Sequence, residues 1–199
     1  MKDFQNLGVK LAINRDEQIL WIAKPYKKCF ILESIFNPLL PFALAWLWFD
    51  LSFISMFMKA QNATQEITGL IIPFFLLHLM PVWMYIGGVL LTFNRYKNTE
   101  FAITNKAIYV SGGSLNFHSK IEKYNNIQSI QIQRGFIDQI LGVGDVVITL
   151  KSTHRRKSKH GGYIVNDKIE IIDVHDYENV LDIIQNQIAI HQQTQVEDL

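Results

Sequence analysis

Asp50 and His78 are the two residues of this sequence whose surroundings most demand a chemical explanation. Each stands in a long apolar run, where an ionisable side chain is costly and often functional. A carboxylate and an imidazole are also the groups that a proton or ion path would use. The structural alternatives are an interfacial position for Asp50 and packing inside a helical hairpin. A second candidate is the run KSTHRRKSKH, which places Lys151, Arg155, Arg156, Lys157 and Lys159 within ten residues. Such a loop could bind anionic lipid headgroups, each cation near a membrane contributing about 1 kcal/mol at best, or it could dock an acidic protein. Its structural alternative is a solvated hairpin tip whose like charges discourage edge pairing.

Other chemistries lack their parts. The six histidines include no pair at metal-ligand spacing on a helix, and no serine lies in Gly-x-Ser-x-Gly. A single cysteine, Cys29, excludes an intramolecular disulfide and any multi-thiolate zinc site; it reads as an interfacial cysteine or an acyl acceptor. Gly142-Val143-Gly144-Asp145 lacks a third glycine and leads into a strand, so it reads as a turn rather than a phosphate cradle. No catalytic set, cofactor or metal is therefore expected. A net charge of +1 excludes a general nucleic-acid binder.

These residues sit on two kinds of element. The 61 residues Ser34 to Asn94 carry only three charges, Asp50, Lys59 and Glu66, whereas the other 138 residues carry 34. Apolar runs of 25 residues before Lys59 and 28 before Arg95 each exceed the roughly 20 residues that cross a bilayer as a helix. The sequence thus predicts a two-helix transmembrane hairpin over 34–94, with spans at about 34–58 and 67–94. Pro38, Pro41, Pro73 and Pro81 are expected to kink these helices rather than break them. Lys24, Lys27 and Lys28 before the first span, with Arg95 and Lys97 after the second, place both termini in the cytoplasm.

After Arg95 the period of the apolar residues changes to two, as in Phe101 and Ile103, Ile130 and Ile132, or Val146, Ile148 and Leu150. With turns at Gly112-Gly113, Asn125-Asn126, Gly161-Gly162 and Asn166-Asp167, this predicts seven antiparallel strands. They fall at 99–104, 107–112, 116–122, 127–133, 145–151, 162–166 and 169–174. One or two helical turns are expected near Phe136 to Leu141. Tyr177, Val180, Leu181, Ile184 and Ile188 then mark the buried stripe of a C-terminal amphipathic helix. The implied organisation is an N-terminal cytoplasmic segment 1–33, the hairpin 34–94, an α+β domain 95–191 and a flexible tail 192–199.

DEQILWIAKP at Asp16 to Pro25, Arg95-Tyr96, FAITNKAIYVSGG from Phe101, IQSIQIQ from Ile127, LGVGDVVI from Leu141, and IIDVHDYENVLDII ahead of the C-terminus follow one another in order. Together they resemble the bacterial pleckstrin-homology-like domains found beside membrane hairpins. Ala107 stands where members of that family often have arginine. The resemblance implies a seven-stranded antiparallel β roll or sandwich closed by a C-terminal helix. It also implies a multi-pass address in the bacterial cytoplasmic membrane and no catalytic residues. The expected activity is non-catalytic binding of a membrane or cytoplasmic protein partner, or of anionic lipid headgroups. The alternative is a small oligomeric transporter or channel component using Asp50 and His78.

Overall fold

Branched and aromatic residues at alternate positions favour extended chain, and from Glu100 to Val174 most of the backbone is strand. The computed structural model describes residues 13–14, 16–60, 73–158 and 161–197, with side chains except at 57–60, 154–158, 161–164 and 194–197. The chain divides into two units. One joins the residues up to Phe30 with those from Asn94 onward, and the other is Ile31–Phe93.

The first unit is α+β. Strands β1 (Ile19–Ala23), β2 (Glu100–Thr104), β3 (Ala107–Gly112) and β4 (His118–Lys123) form an antiparallel sheet in that order. A second antiparallel sheet contains β5 (Ile127–Gln133), β6 (Gly144–Ser158) and β7 (Gly161–Val174). The inward residues of both sheets meet in one core: Phe101, Ile103 and Ile108 from the first, Val146, Ile148, Leu150, Ile169 and Ile171 from the second. Val180 and Ile184 of the C-terminal helix (Tyr177–Glu197) complete it, with Tyr177, Ile183 and Ile188 half-buried beside them. That helix continues through most of 192–199, the stretch whose polar composition suggests a tail.

The number of strands agrees with the sequence reading, but their identities differ. β1 belongs to the segment ahead of the apolar run, and it pairs with β2 through Trp21↔Ile103, Ile22↔Ala102 and Ala23↔Phe101. The two strands expected at 162–166 and 169–174 are one, because Asn166-Asp167 is no turn. β6 bulges between Thr149 and Thr153, and Asn166 Nδ2 donates to the carbonyl of Leu150 at 2.8 Å while Ser152 Oγ donates to Asp167 at 2.9 Å. The side chains of the Asn-Asp pair therefore mend a break in the ladder. Gly142, at φ 67°, ends the short helix Phe136–Leu141 in the left-handed conformation that glycine adopts without strain. The glycine pair near Asp145 is thus a turn into β6.

Helix α1 (Lys27–Ile35), whose first four residues belong to the first unit, ends just ahead of Pro38, and helix α2 (Leu39–Ala60) of the second unit starts immediately after it. Pro38 therefore separates two helices instead of kinking one. Asn37 Oδ1 accepts the Leu39 N–H at 2.8 Å and so satisfies a helix-start donor. Residues 73–78 are helical, Leu79 is a turn, and helix α3 (Met80–Asn98) follows, with Pro81 tolerated in its first turn. Ser34 meets Thr92 at 2.7 Å, Tyr85 donates to the Ile35 carbonyl at 2.8 Å, and Asp50 meets His78 at 2.8 Å. This descending order makes the two helical runs antiparallel.

Among the described residues one helix is long and apolar enough to cross a membrane, over Leu39–Met56. The expected second span lies partly outside the described residues, at 67–72, and its described remainder is interrupted at Leu79. Numbered onward, the helix at Phe136–Leu141 is α4 and the helix at Tyr177–Glu197 is α5.

Candidate functional site

The first unit carries a groove of about 490 Å³ between the edge of the first sheet and β7. Four groups able to carry positive charge line it: Arg95 in the last turn of α3, His118 and Lys120 on β4, and Lys168 on β7. Glu170 is the one carboxylate in the lining. Each residue is placed by strand register, since Lys120 stands opposite Val110, His118 opposite Gly112 and Lys168 opposite Thr149. All four are exposed, and the two ion pairs found among the described residues, Lys24 with Glu100 and His78 with Asp50, leave them out. Arg95 is steadied by the face of Phe30, its guanidinium 5.3 Å from the ring centre.

Ser111, at the floor, is already committed, because its Oγ donates to the Asn98 carbonyl at 2.9 Å and accepts the Glu100 N–H at 3.0 Å. Gly113, at φ 120°, permits the chain to fold back on Asn116, whose carbonyl oxygen would lie 1.8 Å from an added Cβ. A groove with a glycine-bent wall, three cations, a histidine and one acid is suited to an anionic group bearing several acceptor oxygens.

The basic residues singled out in the sequence lie elsewhere. Lys151 is exposed on β6, and its Nζ donates to the Asn125 carbonyl at 2.8 Å. Arg155, Arg156 and Lys157 fall on β6 opposite Ile164, Tyr163 and Gly162, near the hairpin tip. Their side chains, and Lys159 as a whole, lie outside the described residues.

Asp50 and His78 are brought together. Asp50 is fully buried between the helical runs of the second unit; its Oδ1 meets His78 Nδ1 at 2.8 Å, and Oδ2 has no partner among the described residues. Trp46 stacks on the imidazole at 5.1 Å, and its indole N–H donates to the His78 carbonyl at 2.9 Å. Phe74 stacks on the imidazole at 5.4 Å. The aromatic cage fixes the ring, and the histidine in turn satisfies half of the carboxylate.

A third set of polar groups was not anticipated. Cys29, Asp138 and Asp173 are buried together in the first unit, and the Cys29 thiol donates to Asp138 Oδ1 at 3.0 Å. Burial pushes the Asp145 and Asp173 carboxyls up to about 6, and the neighbouring charge of Asp138 pushes each in the same direction. Burial, with Asp138 and Asp173 beside it, also raises the Cys29 thiol far above its ordinary value.

Two antiparallel sheets share one core, are closed by a C-terminal helix and carry a charged groove. Residues 35–188 match the bacterial PH domain, and the chain belongs to that family. No curated protein and no solved structure matches it.

Proposed function

We propose that this protein is a non-catalytic binding module held at the bacterial cytoplasmic membrane by residues 34–94 as a two-helix hairpin, with both termini cytoplasmic, and that the groove takes the anionic headgroup of a lipid. The observation that carries the reading is the convergence of Arg95, Lys120 and Lys168, with His118, on one groove, which begins at Arg95, a single residue past the apolar segment. Membrane anchoring is supported by α2 and by the large apolar side chains that face outward in the second unit. Trp48, Leu77 and Met84 are 73%, 74% and 65% exposed. A soluble domain rarely displays such a surface.

Full-length protein in a neutral detergent, titrated with short-chain phosphatidylglycerol and phosphatidylcholine, tests the groove. The wild type prefers the anionic lipid. Changing Lys120 and Lys168 together to Ala weakens that preference about 10- to 30-fold, from about 1 kcal/mol per cation. Changing Arg155, Arg156 and Lys157 to Ala leaves it nearly intact. Equal binding of both lipids would make an acidic protein segment the better ligand.

Topology is tested separately. Reporters fused after Leu199 should be active in the cytoplasm, and reporters placed within 59–66 active outside. An outward C-terminus would remove the β unit from the cytoplasm and refute the address.

The close pairing of Asp50 and His78 favours a second reading, a small oligomeric transporter or channel component in which the two line a path. Asp50→Asn keeps the shape and removes the charge. Loss of an ion or proton flux at unchanged protein level would support this reading, whereas an effect on stability alone would make the pair a structural tie between helices.

A further inference from the structure

We propose that Cys29, Asp138 and Asp173 bind one divalent transition-metal cation, with zinc preferred. The three come from distant parts of the chain, the start of α1, the first turn of α4 and the end of β7, and converge in the interior of the first unit. Cys29 Sγ and one carboxylate oxygen from each aspartate lie within 4.8 Å of one another. Ligands of a tetrahedral zinc are about 3.5 Å apart, so small side-chain rotations close the site. Cys29 is 0%, Asp138 1% and Asp173 1% exposed.

The decisive group is Asp173. Both of its oxygens are buried without a hydrogen-bond partner among the described residues. The Cys29 thiol has one proton and gives it to Asp138 Oδ1. The Cys29 thiol and the more distant charge of Arg95 favour its ionised form but do not outweigh burial; a carboxylate so buried without a well-formed hydrogen bond is costly for a fold to retain, and a bound cation would offset that cost.

The backbone aims it there deliberately. Asp173 has φ 56°, unusual for a residue other than glycine, at the irregularity where β6 and β7 shift register between Gly144 and Val146. Its N–H is held by Asp145 Oδ1 at 2.8 Å, and its carbonyl accepts the Tyr26 N–H at 2.7 Å. Asp138 is oriented in the same manner, since its Oδ2 caps the Gly135 N–H at 2.7 Å and leaves Oδ1 for the site. Ligands with their other atoms so anchored are typical of metal centres. A pocket of about 390 Å³, lined by Trp21, Lys24, Tyr26, Tyr96 and His175, also has Asp173 in its wall.

The ligand types choose the ion. One thiolate with two carboxylates is too soft for magnesium or calcium and suits zinc or cobalt, with a fourth position for water. On binding, the thiol proton leaves to solvent, and the S–H···O bond is replaced by S–metal and O–metal bonds.

Full-length protein in mild detergent, stripped with a chelator, is titrated with Co²⁺ as an optical probe. Expected are one equivalent bound with a thiolate-to-cobalt charge-transfer band in the near ultraviolet, its displacement by Zn²⁺, and a rise in melting temperature on adding Zn²⁺ that a chelator reverses. Cys29→Ser, a one-atom change, abolishes the band, and Asp173→Asn weakens uptake at least tenfold. If Asp173→Asn fails to fold, Cys29→Ser with the wild-type melting shift decides the matter. Absence of the band in the wild type, its survival in Cys29→Ser, or a melting temperature unmoved by Zn²⁺ would overturn the proposal.

Discussion

Ile184→Asp unfolds the β unit, whereas Leu181→Asp leaves it folded. Ile184 is wholly buried where α5 packs on β5 and β6, in one core with Val146, Ile148, Leu150 and Ile171. Aspartate there forfeits about 2–3 kcal/mol of apolar burial and places a carboxylate in a site without a donor, at several kcal/mol more. A domain stable by about 5–15 kcal/mol does not survive much of that. Leu181, one residue beyond the buried Val180, is half-exposed and can turn a carboxylate to water. Circular dichroism and thermal melts of the two full-length variants in detergent check the contrast, and equal loss in both would mean that the buried face of α5 is misassigned.

The second large effect concerns β1. Phe30 and Tyr96 lie with ring centres 5.9 Å apart, so a short Gly/Ser linker can replace residues 31–93 and leave the first unit continuous. That shortened protein should be soluble and mainly β. The fragment 94–199, lacking β1, should be loose and prone to aggregate. Without β1 the buried strand β2 becomes an unprotected edge. Trp21 no longer covers the core, and Glu100, 4% exposed, loses the Lys24 ammonium that meets it at 2.9 Å. Stranding that carboxylate alone costs roughly 3 kcal/mol.

Glu17 adds a pH-dependent part to the same attachment. It accepts Thr104 Oγ1 at 2.6 Å and the Tyr109 hydroxyl at 2.9 Å. Burial by itself raises this carboxyl, but the hydrogen bonds from Thr104, Tyr109 and Asn14 and the charge of Lys106 outweigh it and hold the group below its ordinary 4.5. The folded state is thus the weaker proton binder, so the contribution is whole above about pH 4.5 and fades as pH falls through the lower folded value. Melts of the shortened protein between pH 7 and 3 should show this slope, and Glu17→Gln should flatten it. A fragment 94–199 as stable as the shortened protein would show that β1 is dispensable.

What could be read in the residues depended on how local the cause was. β5 alternates because one face is wet, and its position follows from the sequence. β1 is a five-residue apolar stretch whose partner lies some eighty positions later, so nothing near it marks it as a strand. Asn166-Asp167 looks like a turn because those types favour turns, and only the bulge in β6 gives their side chains other work. Leu181 shares the helical stripe by spacing, yet α5 turns Val180, Ile183 and Ile184 to the core over β5 and β6.

The same logic governs the sites. Asp50 and His78 stand out singly because each is costly in an apolar run, but their pairing depends on the antiparallel register of two helical runs. The basic run was conspicuous because it is contiguous. Arg95, His118, Lys120 and Lys168 are isolated charges until two sheets bring them to one groove. Cys29, Asp138 and Asp173 are farther apart still, and a search for closely spaced histidines and cysteines passes over a thiol completed by two distant carboxylates.

The place of β1 in the chain has a consequence for biosynthesis. Between Ala23 and Glu100, the ends of two strands that pair, lie 76 residues that include the whole apolar segment. At a ribosome speed of about 5–20 residues per second, β1 leaves the exit tunnel roughly 4–15 s before its partner exists. During that wait ILWIA is an unpaired, mostly apolar strand, the kind of segment that seeks a foreign edge. Its release from that risk comes only when β2 emerges, so slower synthesis of the intervening segment should be felt first as misfolding of the β unit.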